Sequence, residues 1–287
     1  MTTTNARVLI FIPTYRRPAA LARQLDSIDA LRRADTSLEI HTIVSQNEAS
    51  GSQSAAPRPF TEFRSNPVNM GADINIALGF ALCDGYDFLW ILSDDDFLRT
   101  PLSSVLPLSS PWDLLVFDES RVGSVEVRTI RATDLLQSRM GLISDVIYRV
   151  DAIRASIPES LVNLRSCFPH LSVIAAAFAH KPARIHYHSR SAVFEDAGAY
   201  VGECVTDYSA ARTGILLIGK YLRRGERHDF ARLYARYADL SKLALFGATG
   251  SLSFALRTIF TLSPAVAPLL VVLYIARKVQ NRGLHAN

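Results

Sequence analysis

Ser93-Asp94-Asp95-Asp96 sets three carboxylates side by side, directly after the apolar run Phe88 to Leu92. Adjacent like charges are costly unless something neutralises them. An oxygen-ligated divalent cation does so. Mn²⁺ or Mg²⁺ takes one or two carboxylates and fills its other positions with phosphate oxygens and water. In extended chain, residues two apart point the same way. Asp94 and Asp96 are therefore expected to share a face as metal ligands, with Asp95 pointing elsewhere. An acidic triplet also suits a solvated turn or a helix N-cap, and Asp96 before Phe97-Leu98 fits a cap. The apolar strand that precedes it favours the cation.

The elements around the triplet must position it. Val8 to Ile12 is an unbroken apolar run ended by Pro13, as expected of a buried parallel strand. Leu21, Leu25, Ile28 and Leu31 recur on one face of a helix after Pro18. Leu38 to Ser45 reads as a second strand and Phe60 to Arg64 as a third, with a loop over Asn47 to Pro59. Gly71 to Cys83 reads as a helix and Phe88 to Leu92 as a fourth strand. This alternation implies a mostly parallel sheet with helices on both faces. Ligands of such sheets bind beyond the carboxyl ends of the strands. Three polar clusters fall there: Thr14-Tyr15-Arg16-Arg17, Gln46-Asn47-Glu48 and the acidic triplet.

The same residues resemble a family 2 glycosyltransferase of GT-A (Rossmann-like) fold. Ile12-Pro13-Thr14-Tyr15-Arg16-Arg17 is similar to its opening strand and loop. Val44-Ser45-Gln46-Asn47-Glu48 is similar to the strand that meets the nucleobase. Asn66-Pro67-Val68-Asn69-Met70-Gly71-Ala72-Asp73-Ile74-Asn75 resembles its Asn-x-Gly segment, and Ser93-Asp94-Asp95-Asp96 its Asp-x-Asp metal motif. The match spans residues 7–100 and looks closest to bacterial O-antigen and capsule transferases, including the abequosyltransferase type. It implies an inverting transfer from a nucleotide-sugar donor to a saccharide or lipid-linked acceptor. It implies that Pro13, Thr14, Tyr15, Arg17, Asn47, Asn69, Gly71, Asp73, Asn75, Asp94 and Asp95 line the donor site. Asp96 would bind a divalent cation, which offsets charge on the departing diphosphate. Gln46-Asn47 stands where many relatives carry Asp, so the nucleobase stays open.

An inverting transfer also needs a base for the acceptor hydroxyl. The candidates are His170, Asp145 and Asp196, the last paired with Glu195. Phe168-Pro169-His170-Leu171 is similar to a Pro-His-Leu segment of the O-antigen-type relatives. A helix N-terminus would keep that imidazole neutral. His186 and His188 alternate on a short strand and are expected to share one side.

The second half is less regular. Asp113 to Asp118, Val125 to Ile130 and Arg184 to Tyr187 read as strands. Leu142 to Tyr148 is apolar, and Phe168 to His180 reads as a helix. We place a GT-A catalytic domain at 1–202, its donor half at about 1–100 and its acceptor half at about 101–202. A helical region follows at 203–287. Gly247-Ala248-Thr249-Gly250-Ser251 lacks the lysine of a phosphate loop and reads as a turn.

Charge divides along the same line. Residues 1–200 carry 19 Lys/Arg against 22 Asp/Glu, a balance of −3; residues 201–287 carry 12 against 5, a balance of +7. Thr258 to Ala276 is uncharged, holds Pro264 and Pro268, and runs into Arg277, Lys278 and Arg282. Paired prolines argue against a straight span. A helix pair lying on an anionic membrane surface fits better, with a packed helical hairpin as the alternative. Cys83, Cys167 and Cys204 show no metal or disulfide spacing, and Val8 to Ile12 is too short for a signal peptide. Both features suit a cytoplasmic protein at the inner face of the membrane. Nothing in the pattern points to nucleic acid. A sugar nucleotidyltransferase would need a Gly-rich first loop, and a non-catalytic sugar- or membrane-binding relative would need loss of the acidic ligands.

Overall fold

The computed structural model describes residues 5–48, 58–164, 168–195, 211–237 and 251–284. It divides into two compact units. The first comprises Met1–Arg128, Leu142–Ile157 and Pro182–Cys204; the second comprises Thr129–Gly141, Pro158–Lys181 and Val205–Asn287. Residues 129–141 and 158–181 therefore group with the helical unit, whereas the sequence reading kept them inside one domain ending at residue 202. Their short helices bury their apolar faces among other helices, which local sequence does not reveal.

The first unit is built on an eight-stranded sheet of order β3-β2-β1-β4-β7-β5-β8-β6. The strands are β1 (Ala6–Thr14), β2 (Leu38–Gln46), β3 (Thr61–Ser65), β4 (Phe88–Ile91), β5 (Leu114–Phe117), β6 (Val125–Arg128), β7 (Val146–Arg149) and β8 (Ala183–His188). β1 pairs in parallel with β2 and β4, β2 with β3, and β5 with β8. β7 is inserted antiparallel between β4 and β5, and β6 closes the far edge antiparallel to β8. The expected stretch Leu142 to Tyr148 splits into a 3-10 turn, Ile143–Asp145, and the start of β7.

Alternation along β1 explains how both faces are covered. Val8, Ile10 and Ile12 join Leu21, Leu25, Ile28 and Leu31 of helix α1 (Pro18–Ala34) in one buried cluster. Phe11 points the other way, toward helix α2 (Ala72–Ala81). The approach there is so close that a Cβ on Gly79 would lie 2.8 Å from Phe11 Cδ1. Only glycine lets α2 settle at that depth. On the α1 side, Phe88 and Trp112 stack at 4.9 Å, and Trp90 packs edge-on against Phe194.

The second unit holds helices α3 (Pro169–Phe178), α4 (Arg224–Tyr237), α5 (Leu252–Leu262) and α6 (Ala267–Leu284). Its core includes Leu216, Phe230, Tyr234, Ala255, Ile259, Leu270 and Tyr274. Pro264 opens the turn between α5 and α6, as expected of a residue that cannot continue a helix. No helix among the described residues is long and apolar enough to cross a membrane.

Candidate active site

Register brings the polar clusters together. Thr14 pairs with Gln46, and Gln46 with Ser65, so β1, β2 and β3 end level. Leu92 N donates to Phe11 O at 2.9 Å, extending the line of β4. The chain then turns, and Asp94 arrives beside Thr14.

Asp94 is buried and both its oxygens are engaged. Thr14 Oγ1 donates to Oδ2 at 2.6 Å, and Arg17 Nη1 donates to Oδ1 at 2.8 Å. The same Arg17 nitrogen reaches Asp95 Oδ2 at 2.8 Å, and Ser93 Oγ donates to Asp95 Oδ1 at 2.6 Å. Burial pushes the Asp94 carboxyl above the usual carboxylate range, and Thr14 and Arg17 pull it part of the way back. Burial works against the Arg17 charge, but its bonds to Asp94 and Asp95 outweigh that and raise it.

Asp96 is served separately. Arg190 Nη2 donates to Asp96 Oδ1 at 2.7 Å, and Arg190 Nε donates to Asp145 Oδ1 at 2.8 Å. The guanidinium also lies 4.4 Å over the Phe194 ring. Burial opposes its charge; Asp145 and then Asp96 outweigh the burial. Asp94 and Asp96 thus have different partners rather than one shared ligand, and among the described residues no group of three or more His, Cys, Asp or Glu converges as a metal site. The donor set nevertheless suits a hard cation through one carboxylate. Asp96 is about a quarter exposed, and among the described residues no donor reaches its second oxygen. Asp94 would have to release Thr14 or Arg17 first.

The triplet loop is held from below by residues that the sequence reading did not single out. Gln24 of α1, fully buried, donates from Nε2 to the carbonyls of Ser93 and Asp96. Ser144 Oγ accepts from Ser93 N at 2.9 Å, and Ser144 O accepts from Trp90 Nε1 at 2.8 Å. A glutamine in the apolar stripe of α1 was a visible signal. Arg190 left none, since its partners are far away in sequence.

At the end of β2, amides form a second cluster. Asn47 N donates to Thr14 O at 2.9 Å, which ties the two strand ends. Asn47 Nδ2 donates to Asn69 Oδ1 at 2.8 Å, and Asn47 Oδ1 accepts from Met70 N at 2.9 Å. Asn69 Oδ1 also accepts from Gly71 N at 2.9 Å. Asn75 accepts from Ser45 Oγ at 2.5 Å and returns a bond from Nδ2 to Ser45 O at 3.0 Å. Gly71, with φ 84°, supplies the left-handed turn into α2 that side chains disfavour. Asp73 is buried in the first turn of that helix. Tyr15 is half-buried with the Arg16 guanidinium 4.9 Å from its ring centroid, and Pro13 is also half-buried.

The base candidates fare differently. His170 lies in the helical unit, where nine residues of α3, from Pro169 to Phe178, are buried. Its Nε2 meets Gly141 O at 3.2 Å, and Nδ1 is enclosed. Burial lowers its pKa to about 4. The ring is neutral, as expected, but a base must touch the acceptor hydroxyl, and neither nitrogen reaches solvent. Asp145 has no exposure and anchors Arg190, so it too is closed to an acceptor. Asp196 lies outside the described residues. Its neighbour Glu195 is half-buried with its side chain partly open to solvent, pairs with Arg23 at 3.1 Å, and donates from its backbone N to Phe97 O at 2.8 Å. His186 and His188 share one side of β8, as expected, without forming a metal cluster. Cys83 is buried; Cys167 and Cys204 lie outside the described residues.

No protein-family model matches this sequence, and no curated protein matches it. Solved structures do match. S. aureus TarS 1–349 in complex with UDP-GlcNAc aligns over 95% of this chain and 87% of its own, at TM-score 0.62 and 14% identity. The same TarS segment in complex with UDP gives a TM-score of 0.59 with the same coverage and identity. A mannosyltransferase from Pyrobaculum calidifontis in complex with GDP-Man and Mn²⁺ aligns over 99% of this chain and 82% of its own, at TM-score 0.46 and 11% identity. The likeness to TarS is one of fold, and the chain has the mixed α/β architecture of the GT-A class.

Proposed function

We propose that this chain is a glycosyltransferase. It moves a sugar from a nucleotide-sugar donor to a saccharide or lipid-linked acceptor, with inversion, in the synthesis of a bacterial surface polysaccharide or glycolipid. One observation carries the reading: Thr14, Arg17, Asn47 and Asp94 to Asp96 meet at the carboxyl ends of β1 and β2 and just beyond that of β4, where sheets of this class bind ligands. The TarS complexes with UDP and UDP-GlcNAc support a nucleotide-sugar donor. The first loop argues against a nucleotidyltransferase, because Pro13 to Arg17 turns through Arg16 at φ 55° without a glycine.

In this reading Asp96 would hold a divalent cation, Mn²⁺ or Mg²⁺, which would supply positive charge to the departing diphosphate. Thr14 and Arg17 fix the triplet so that Asp95 faces the ribose or sugar. Asn47 and Asn69 shape the base pocket, with Asp73 and Asn75 at its edge. The Glu195-Asp196 pair takes the base role, since the Glu195 side chain is partly open to solvent and its backbone is tied to the chain one residue beyond Asp96. The acceptor hydroxyl gives its proton to that pair, its oxygen bonds the anomeric carbon, and the bond from that carbon to phosphate breaks.

The helical unit supplies an anionic membrane contact. On α6, Leu270 and Tyr274 are buried while Leu269, Val272, Ile275 and Val279 are exposed at helical spacing. The outward face of a helix in water is ordinarily polar. Here it is apolar, with Phe260 of α5 also exposed and Lys278 on the same helix. Apolar area beside cations suits the headgroup boundary.

A donor-hydrolysis screen over UDP-, GDP-, CDP- and dTDP-sugars with Mn²⁺ tests the proposal. Release of nucleoside diphosphate from one donor class, lost on adding EDTA, is the expected result. Turnover that survives EDTA unchanged would contradict the cation role, and no release from any donor would contradict the transfer itself.

A further inference from the structure

Arg190 is held on three sides. Its Nε binds Asp145, which has no exposure; its plane covers Phe194; its Nη2 binds Asp96. A buried carboxylate does not readily give up a charged partner, so the bond to Asp145 holds the guanidinium in place. The position that results is awkward for a cation. A fixed positive charge sits 2.7 Å from the oxygen of the carboxylate proposed to ligate the metal. Two cations on one carboxylate repel, and the repulsion falls only when further negative charge arrives. A nucleoside diphosphate brings such charge, and the planar guanidinium pairs well with phosphate oxygens.

We infer that Arg190 is a positioning residue that makes cation binding at Asp96 depend on the donor diphosphate. Resting on the glycosyltransferase reading, this assigns the site an order: Asp96 holds a cation weakly alone and firmly once a diphosphate shares the Arg190 charge. The coupling is reciprocal, so the cation tightens the diphosphate by the same factor. Free nucleotide-sugar and metal are thereby captured together, and Asp96 stays paired with Arg190 when both are absent.

The test is Mn²⁺ binding followed by electron paramagnetic resonance, without turnover. Wild-type protein is titrated with Mn²⁺ alone and with saturating UDP, GDP, CDP or dTDP. Arg190→Met removes the charge and takes one charged partner from buried Asp145, so Arg190→Met with Asp145→Asn is the second variant, and thermal melting confirms its fold. In wild type, Mn²⁺ affinity rises at least about 10-fold with the preferred nucleotide. In the double variant Mn²⁺ alone binds about 10-fold more tightly than in wild type, and the nucleotide-induced gain shrinks to about 2-fold. Equal affinities and an equal gain in both proteins overturn the inference and leave the metal-dependent reading intact. No Mn²⁺ binding by wild type with any nucleotide overturns both.

Discussion

Removing the Arg17 guanidinium should expose how the acidic triplet is held. In Arg17→Met the Asp94 carboxylate keeps the Thr14 bond at 2.6 Å and loses the charged donor at 2.8 Å. The Asp94 side chain is 5% exposed and Arg17 is 25% exposed. Breaking a fully enclosed pair costs about 3–5 kcal/mol, and the partial exposure of Arg17 lowers the expected loss to about 2–3 kcal/mol. Most of that loss is the bare buried charge, so Asp94→Asn in the same background should restore at least half of it. The pH dependence has a definite sign. Burial already sets the folded pKa of Asp94 above its unfolded value, so the folded protein holds the proton longer and its stability falls as pH rises through that window. Arg17→Met removes an opposing pull and extends the window upward. The deficit should therefore be larger at pH 8 than at pH 5. Trp90 and Trp112 are the two tryptophans of the chain, and both are buried in the sheet unit, so urea unfolding followed by their fluorescence reports on that unit. A variant within about 0.5 kcal/mol of wild type at pH 8, or an Asp94→Asn substitution that restores nothing, would refute the reasoning.

Gly79→Ala should cost about 1–3 kcal/mol by forcing α2 away from Phe11, whereas Gly225→Ala, with open space and an ordinary helical backbone, should gain about 0.4–1 kcal/mol; urea midpoints separate the two. Asp73→Ala should weaken nucleoside diphosphate binding by about 1–3 kcal/mol, read by calorimetry, and an unchanged affinity would remove Asp73 from the donor pocket. Val272→Asp with Ile275→Asp should abolish flotation with anionic liposomes while melting as wild type does; retained flotation would locate the membrane contact elsewhere, and loss of a dimer on the same change would mark the face as a contact between two copies.

The strands of the donor half were legible because each is a local pattern. The run Val8 to Ile12 and the stripe Leu21, Leu25, Ile28 and Leu31 needed only periodicity, and the structure extends the strand by two residues at each end. The meeting of Thr14, Asn47 and Asp94 followed from parallel strands whose carboxyl ends lie on one side of the sheet. Antiparallel insertion of β7 between β4 and β5 did not follow, because strand order is a tertiary choice. Arg190 was equally hidden: its pairing with Asp96 spans 94 positions, and nothing beside it in Ser189-Arg190-Ser191 marks it out. The partners of Asp94 and Asp96 were missed for a related reason. Alternation puts residues two apart on one face only while the chain is extended, and β4 ends at Ile91. The burial of His170 had a local signal. Leu171 to Phe178 is apolar except for Ser172, which marks a helix enclosed by its neighbours.

The most direct test of the central claim compares wild type with Asp96→Ala for release of nucleoside diphosphate from the best donor of the screen, in Mn²⁺, with urea unfolding in parallel. The account predicts that release is abolished while the urea midpoint stays near that of wild type, since Asp96 is partly exposed and Arg190 keeps its bond to Asp145. Release at the wild-type rate by folded Asp96→Ala would contradict it.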